Sequence, residues 1–291
     1  MNYGKHYYQD YFDTLKLNAQ GELIDIDQFE GGKGLTEKRP MTTKDNALDR
    51  LWPREAEADS APYYSFSLQT TYPGLLCGIG YHHEVNKPKD EEAVPFFQLG
   101  MYFDYSSGLP VIPGSSVKGA LRAAVNEWEF LADEAITVLI KEHKPSLLEE
   151  LKDSEKLKKA FIDEVFKGLE YQKEEENAKE KRFSIYERDI FFDAIPVKAK
   201  RNLLGEDYIT HHPSVFTDPN PVRFLRVEPE VTYRFRFLLY DGGLFPAELK
   251  KQIFRKIILE LGLGAKTNVG YGRFREEDSA ATPDAPRPTH P

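Results

Sequence analysis

The sequence is short of cysteine. Cys77 is the single one in 291 residues, so the chain offers neither an internal disulfide nor a cysteine-based zinc site. It has no apolar run near the ~20 residues of a membrane-spanning helix. Met1 to Asp10 are polar and aromatic, without the apolar core of an export signal. The expected compartment is the cytoplasm, with no membrane partner. Positive charge is not in excess either. There are 39 lysines and arginines against 48 aspartates and glutamates, a formal net charge of −9, which argues against a generally basic nucleic-acid coat. Hydrophobic residues (40%) and charged residues (30%) together suit a folded, water-facing protein, with one large domain or two small ones at this length.

The charge is unevenly spread. Residues 183–275 carry 15 basic and 11 acidic groups, and this is the one locally positive segment. It includes Arg223, Arg226, Arg234, Arg236, Lys266, Arg273 and Arg275. A local basic surface can bind a polyanion on an acidic protein, because remote charges are screened beyond ~8 Å at physiological salt. The alternative is a set of solvated faces balanced by nearby acids.

Along the chain, residues 1–62 read as an irregular arm packed on a domain spanning 63–275, with a disordered, proline-rich tail over 276–291. Tyr63 to Leu76 alternates as a strand, 82–95 reads as an exposed loop, and Phe96 to Tyr105 as a second strand. Ser115 or Ser116 is expected to cap a helix whose apolar face is Val117, Leu121, Ala124, Val125, Trp128 and Leu131. Residues 131–182 form a helical insertion, with Leu147, Leu148, Leu151, Leu157, Phe161 and Val165 on its apolar faces and a charge run from Glu174 to Arg182. Phe183 to Val197 is β-rich, and 198–222 reads as a long polar loop. Val222 to Val227 and Val231 to Tyr240 follow as strands, the second with one aromatic and one cationic face. Pro246 starts a helix, Gly262 ends it, and a glycine-rich turn leads into a last strand. Without the insertions the order is strand, helix, strand, strand, helix, strand. That predicts an α+β, ferredoxin-like (RRM-like) βαββαβ fold, the frame of a module that binds single-stranded RNA.

Two motifs carry chemistry. Gly108 to Arg122, GLPVIPGSSVKGALR, is a strand-to-helix corner. Free N–H groups and the helix dipole at such a corner suit a phosphate, so Gly114, Ser115, Ser116, Lys118 and Arg122 are candidate contacts. A purely packing role for Gly114 and Gly119 stands beside that reading. Gly262 to Arg273, GLGAKTNVGYGR, has four glycines in eleven residues, which permits close backbone approach to a ligand. Gly264, Lys266, Thr267, Asn268, Gly270 and Arg273 are its candidate contacts, and Tyr271 is a candidate base stacker. Neither motif is a Walker loop or a dinucleotide fingerprint.

On these motifs the sequence resembles the RAMP superfamily of CRISPR-associated proteins. The region from Ile209 to Phe237, with His211-His212 and VRFLRVEPEVTYRFRF, is similar to subunits of type III-B effector complexes. The resemblance implies a RAMP fold and a non-catalytic scaffold subunit that caps the 3′-side end of the complex. Such a subunit holds the guide RNA and projects a β-hairpin thumb across the guide–target duplex, with other RAMP subunits as neighbours. The 198–222 segment is the thumb candidate, and His211, His212, Arg223 and Arg226 join the RNA-contacting set. Some members of the superfamily are endoribonucleases, so catalysis by His211 or His212, or a backbone-subunit role, are the alternatives. His82-His83 is the other adjacent pair. Neither pair has metal-ligand spacing, and no catalytic residue, metal or cofactor is expected. Asp104 and Asp193, near strand ends, are expected to cap or to form salt bridges. Ser116 and Lys266 are expected to face one side of the molecule across a continuous positive groove.

Overall fold

The computed structural model describes residues 3–5, 7–8, 16–17, 23–25, 63–78, 100–127, 134–151, 153–172, 180–211 and 220–277. A helical turn, α1 (Tyr3–Lys5), and a ribbon of β1 (Lys16–Leu17) and β2 (Leu23–Asp25) come first. Then follow β3 (Tyr63–Thr70), α2 (Gly114–Glu127), α3 (Glu134–His143), α4 (Ser146–Glu150) and α5 (Ser154–Phe161), which runs into a π-helical turn over Ile162–Lys167. Strands β4 (Ile190–Phe191), β5 (Ile195–Ala199), β6 (Leu204–His211), β7 (Asn220–Val227) and β8 (Val231–Leu238) precede α6 (Ala247–Leu261) and β9 (Phe274–Glu276). Among the described residues no helix is long and apolar enough to cross a membrane.

Strand β8 is the middle of the main sheet. It pairs antiparallel with β3 from Tyr63↔Leu238 to Gln69↔Thr232. Its other side is covered in two pieces, by β4 at Leu238 and Phe237 and by β5 from Arg234 to Val231. Strand β9 pairs with the far side of β3. The order is therefore β4/β5, β8, β3, β9, with every neighbour antiparallel. The expected alternation holds, since partners across the register share a face. On one face Tyr64, Phe66 and Leu68 lie beside Phe237, Phe235 and Tyr233. The Phe66 and Phe235 rings are 5.3 Å apart, and Phe254 of α6 reaches to 5.2 Å from Phe237. Burying one such ring fully contributes ~1.5–3 kcal/mol. On the other face Ser65 and Ser67 lie beside Arg236 and Arg234. That face was expected to be a solvated cationic surface, but Arg234 and Arg236 are buried.

The helices between Glu134 and Lys167 are part of the core. Ile136, Ile140, Leu147, Leu151, Leu157, Phe161 and Val165 are buried in the same cluster as Leu68 and Phe235. A charged knot fixes it. The Lys250 ammonium, 1% exposed, lies 3.2 Å from Glu164 Oε1 and 3.1 Å from Asp189 Oδ2, and donates to the Tyr240 carbonyl at 2.9 Å. Glu164 accepts the N–H groups of Leu244 and Phe245, and Asp189 accepts that of Tyr240. Burial pushes the Asp189 carboxyl up, against the pull of Lys250. The knot ties the π-helical turn, the approach to β4 and the start of α6 together.

Several expected elements differ. The described part of the expected 198–222 loop is largely strand. Leu204–His211 pairs residue by residue with Asn220–Val227, from Leu204↔Val227 to His211↔Asn220. Its polar residues conceal a two-stranded ribbon whose Leu204, Leu225 and Val227 are buried. The expected strand ending at Tyr105 is reduced, in its described part, to a bridge between Phe103 and Pro110 around a turn at Asp104, whose carboxylate accepts from Ser106 and the Ser107 N–H. The Tyr8 hydroxyl donates to the Met101 carbonyl, and Gly4 N–H donates to the Gly108 carbonyl, so this part of the arm packs on the domain. The expected 82–95 loop with His82-His83, residues 96–99, Trp128, Leu131, 173–179, His212, residues 213–219 and the expected tail beyond 277 lie outside the described residues.

Candidate nucleic-acid interface

The first motif forms helix α2, but the serines are not its caps. The helix begins at Gly114 after Pro113, and Ser116 and Val117 N–H groups donate back to the Pro113 carbonyl. The Gly114 N–H donates to Asp193 Oδ1 at 2.7 Å. The helix start already holds a carboxylate, the ligand type its dipole favours, and Asp193 is the cap that the sequence reading had allowed. Gly114 is required for packing. A Cβ there would sit 2.1 Å from the Phe191 carbonyl oxygen, whereas Gly119 faces open space. Ser115 and Arg122 are exposed. Lys118 lies 5.5 Å from the Phe191 ring centroid, and desolvation holds its ammonium below the usual lysine range, with Arg122 and Arg188 adding to it and Asp189 opposing.

The glycine-rich motif folds against the end of β3 and the β6–β7 ribbon. Ala265 N–H donates to the Leu76 carbonyl, Gly272 N–H to Gly74, and Leu263 N–H to Gly272. A Cβ on Gly264 would meet the Leu76 carbonyl at 2.5 Å, and one on Gly272 the Leu263 carbonyl at 1.8 Å. These two glycines, both at positive φ, serve protein–protein approach within the chain. Lys266 (φ 58) and Gly270 (φ 99) flank a 3₁₀ turn over Thr267–Val269. A non-glycine residue in the left-handed region costs ~1–2 kcal/mol and is the kind of strain that collects at functional loops.

Tyr271 does not present its ring to solvent, which corrects the base-stacking expectation. It is 5% exposed, packed edge-on against Phe224 at 5.8 Å, and its hydroxyl donates to Asp207 Oδ2 at 2.7 Å. Burial, with the Asp207 carboxylate beside it, pushes the phenol well above its usual range. Leu76, Phe224 and Tyr271 form a second small core, joined by Ile209 and Ala265. The Asp207 carboxylate also accepts from Arg226 Nη1 at 2.8 Å, and Arg226 donates to the Pro73 carbonyl at 2.6 Å. Loop, ribbon and the 71–76 segment are thus one unit.

The positive excess of 183–275 is mostly neutralised in place. Arg223 pairs with Glu206, Arg226 with Asp207 and Glu228, Arg255 with Glu276, and Arg275 with Glu230. Arg273 donates to the Glu260 carbonyl at the end of α6. Among the described residues Lys266 forms no ion pair, and it is half-buried beside exposed Asn268 and Val269. The two motifs are not brought together. The helix start rests on 191–194 at the β4/β5 edge, whereas the glycine-rich loop leads into β9 at the opposite edge, with β8 and β3 between them. No hydrogen bond or ion pair among the described residues links them. His211 closes the described part of the ribbon opposite Asn220.

A family model described as the RAMP superfamily matches residues 67–275. The chain belongs to the RAMP superfamily. Within it the chain is similar to Cmr6 subunits. It is 30% identical over 215 residues to the CRISPR system Cmr subunit Cmr6 of Pyrococcus furiosus, covering 58% of each chain. It is 26% identical over 185 residues to Cmr6 of Saccharolobus solfataricus, covering 61% of this chain and 49% of that one. It therefore spans about half the length of these relatives. Among solved structures, a chain of the type III-B Cmr-beta complex bound to cognate target RNA overlaps 92% of this RAMP protein and 79% of itself, at 22% identity and a TM-score of 0.48. Crystalline Cmr6 from Pyrococcus furiosus overlaps 75% of it and 100% of itself, at 19% identity and a TM-score of 0.35.

Proposed function

We propose that this RAMP protein is a non-catalytic RNA-binding scaffold subunit of a type III CRISPR effector complex, capping its end toward the 3′ side of the guide. Its frame is read as ferredoxin-like. The strand order β4/β5, β8, β3, β9, with α2 and α6 as the two crossovers, is the arrangement expected of the split βαβ unit. Its partners on this reading are guide RNA, target RNA and other RAMP subunits, and it requires no cofactor or metal.

The observation that carries the reading is the unit made by the glycine-rich loop and the β6–β7 ribbon. The loop offers Lys266 and the polar groups of 267–270 for a sugar-phosphate backbone, while Asp207, Tyr271 and Arg226 hold the base of the ribbon rigid on it. A ribbon fixed at its root and extending from an RNA-holding loop suits a thumb laid across a guide–target duplex. Backbone contacts position the nucleic acid without reading it, and base pairing supplies the sequence. Lys118 and Arg122, at the other edge, would form a separate phosphate contact.

The test is a purified complex assembled on its guide. Native mass spectrometry should count one copy of this subunit per complex, whereas several copies rising with guide length would make it a backbone member. Lys118→Ala combined with Lys266→Ala should weaken guide retention, with a shallower salt dependence. Unchanged retention would remove both phosphate contacts from the account.

A further inference from the structure

Tyr271 is the aromatic that the glycine-rich sequence offers to a base, and the fold uses it inside. Tyr72 is the aromatic that the fold leaves outside at the same place. It is 79% exposed, although the chain on both sides of it is fastened to the RNA-holding unit. Thr71 donates to the Arg273 carbonyl through both its N–H (3.0 Å) and its hydroxyl (3.3 Å). The Pro73 carbonyl accepts from Arg226, and the Gly74 carbonyl accepts from the Gly272 N–H. On the loop side, a Cβ at Gly270 would lie 3.4 Å from Pro73 Cδ, so the loop backbone passes directly against the residue after Tyr72. The Tyr72 phenol is also close enough to Tyr271 to act on its titration.

A single exposed tyrosine is ordinary; the setting distinguishes this one. The backbone on both sides of it is held by hydrogen bonds at Thr71, Pro73 and Gly74, so little conformational freedom is lost when its ring is used. It flanks a loop that carries Lys266, which has no ion pair among the described residues and a left-handed backbone, and an exposed Asn268. A stacking platform beside a cationic backbone cradle is the pairing that single-stranded RNA sites use, because every base has a π-face and every nucleotide a phosphate.

We infer that Tyr72 is a stacking platform for one base of the RNA whose phosphates pass along residues 266–270. The inference rests on the RNA-binding reading above. It assigns the recognition of that base to ring area rather than to hydrogen bonds, so the contact is indifferent to base identity.

The test uses the full chain and guide RNA with 2-aminopurine placed at successive positions. Tyr72→Ala should weaken guide binding roughly five- to hundredfold, abolish quenching at one position and leave the slope of affinity against salt unchanged. Tyr72→Phe should retain both affinity and quenching. Lys266→Ala serves as the contrast, lowering affinity together with that slope. If Tyr72→Ala binds the guide like the unaltered chain, the stacking role is overturned while the RNA-binding reading survives. The same holds if Tyr72→Ala keeps guide affinity but no longer joins its neighbouring subunits, which would make the tyrosine a protein contact. A Tyr72→Phe variant as weak as Tyr72→Ala also overturns it, since the hydroxyl rather than the ring would then be responsible. Failure of the unaltered chain to bind guide RNA overturns the RNA-binding reading itself, and this inference with it.

Discussion

Tyr271 donates its hydroxyl hydrogen bond to Asp207 across 2.7 Å, joining a glycine-rich loop near one end of the chain to a ribbon sixty-four residues earlier. The same carboxylate receives Arg226, so one acidic side chain organises the root of the ribbon. Tyr271→Phe keeps the ring on Phe224 and leaves the Asp207 carboxylate to Arg226 and the Tyr208 N–H. The expected loss is about 1.5–3 kcal/mol, that of a hydrogen bond to a charged group, read as a lower urea midpoint. Tyr271→Ala also removes the buried ring and should cost about 3–5 kcal/mol. The phenol's acidity in the fold is suppressed, so its contribution is fully present below the unfolded value near 10 and is lost as pH rises toward the higher folded value. Stability should therefore fall above pH ~10, and less steeply in Tyr271→Phe, with Tyr7 and Tyr233, also pushed up by burial, supplying part of the remaining slope.

Lys250 stands between two buried carboxylates, Glu164 and Asp189. Lys250→Met keeps the volume and removes the compensating charge. Leaving buried charge uncompensated typically costs about 3–5 kcal/mol, and the loss should appear as a large drop in the denaturation midpoint. Adding Asp189→Asn and Glu164→Gln to Lys250→Met should restore part of it by removing the uncompensated charge. A Lys250→Met chain as stable as the original would mean that the knot is not a structural tie.

The sheet was legible because the alternation in Val231–Leu238 is a backbone property: Tyr233, Phe235 and Phe237 had to share a face whatever covered it. The apolar spacing of Leu147, Leu151, Leu157, Phe161 and Val165 was legible for the same reason, and all five are buried. What covers the other face of β8 was not, since Arg234 and Arg236 look the same in sequence whether solvated or buried. The β6 strand was hidden by Glu206, Asp207 and Thr210, which read as loop until Arg226 and Arg223 on the partner strand answer the first two. Lys250 was equally silent, because two adjacent lysines on an amphipathic helix imply solvent, and only tertiary packing sets Glu164 and Asp189 around one of them. At the two motifs, Asp193 rather than Ser115 or Ser116 accepts from the first N–H of the helix, and Tyr271 is buried while Tyr72 is exposed.

Glycines in the two motifs separate by what surrounds them. Gly272 sits at φ 69 with the Leu263 carbonyl where a Cβ would go, so Gly272→Ala must displace backbone. Several kcal/mol of lost stability is the expected outcome, of the size reserved for strain at a special φ/ψ. Gly119 lies within α2 with nothing within 4 Å of its would-be Cβ. Gly119→Ala should stabilise by about 0.5–1 kcal/mol, the helical preference of alanine over glycine. Thermal unfolding of the two variants side by side checks both signs. A neutral Gly272→Ala would show that the loop can take another path.

Lys266 allows stability and binding to be pulled apart at one position. Its backbone is left-handed at φ 58, a conformation that glycine adopts freely, and its ammonium forms no ion pair among the described residues. Lys266→Gly relieves the backbone cost, ~1–2 kcal/mol for an ordinary residue, against glycine's greater chain entropy, ~0.5–1 kcal/mol. The net effect on stability should be zero to slightly positive, seen as an unchanged or higher melting temperature. The same change removes one phosphate-facing cation. Guide affinity should fall, and the slope of log affinity against log salt should shrink by about 0.7, the single-strand value for one phosphate contact. Lys266→Ala should lose the same binding while keeping the strain, so the two variants should differ in melting temperature and agree in salt slope. Equal slopes in all three chains would mean that Lys266 is held left-handed by the packing of its loop alone and takes no part in holding a phosphate.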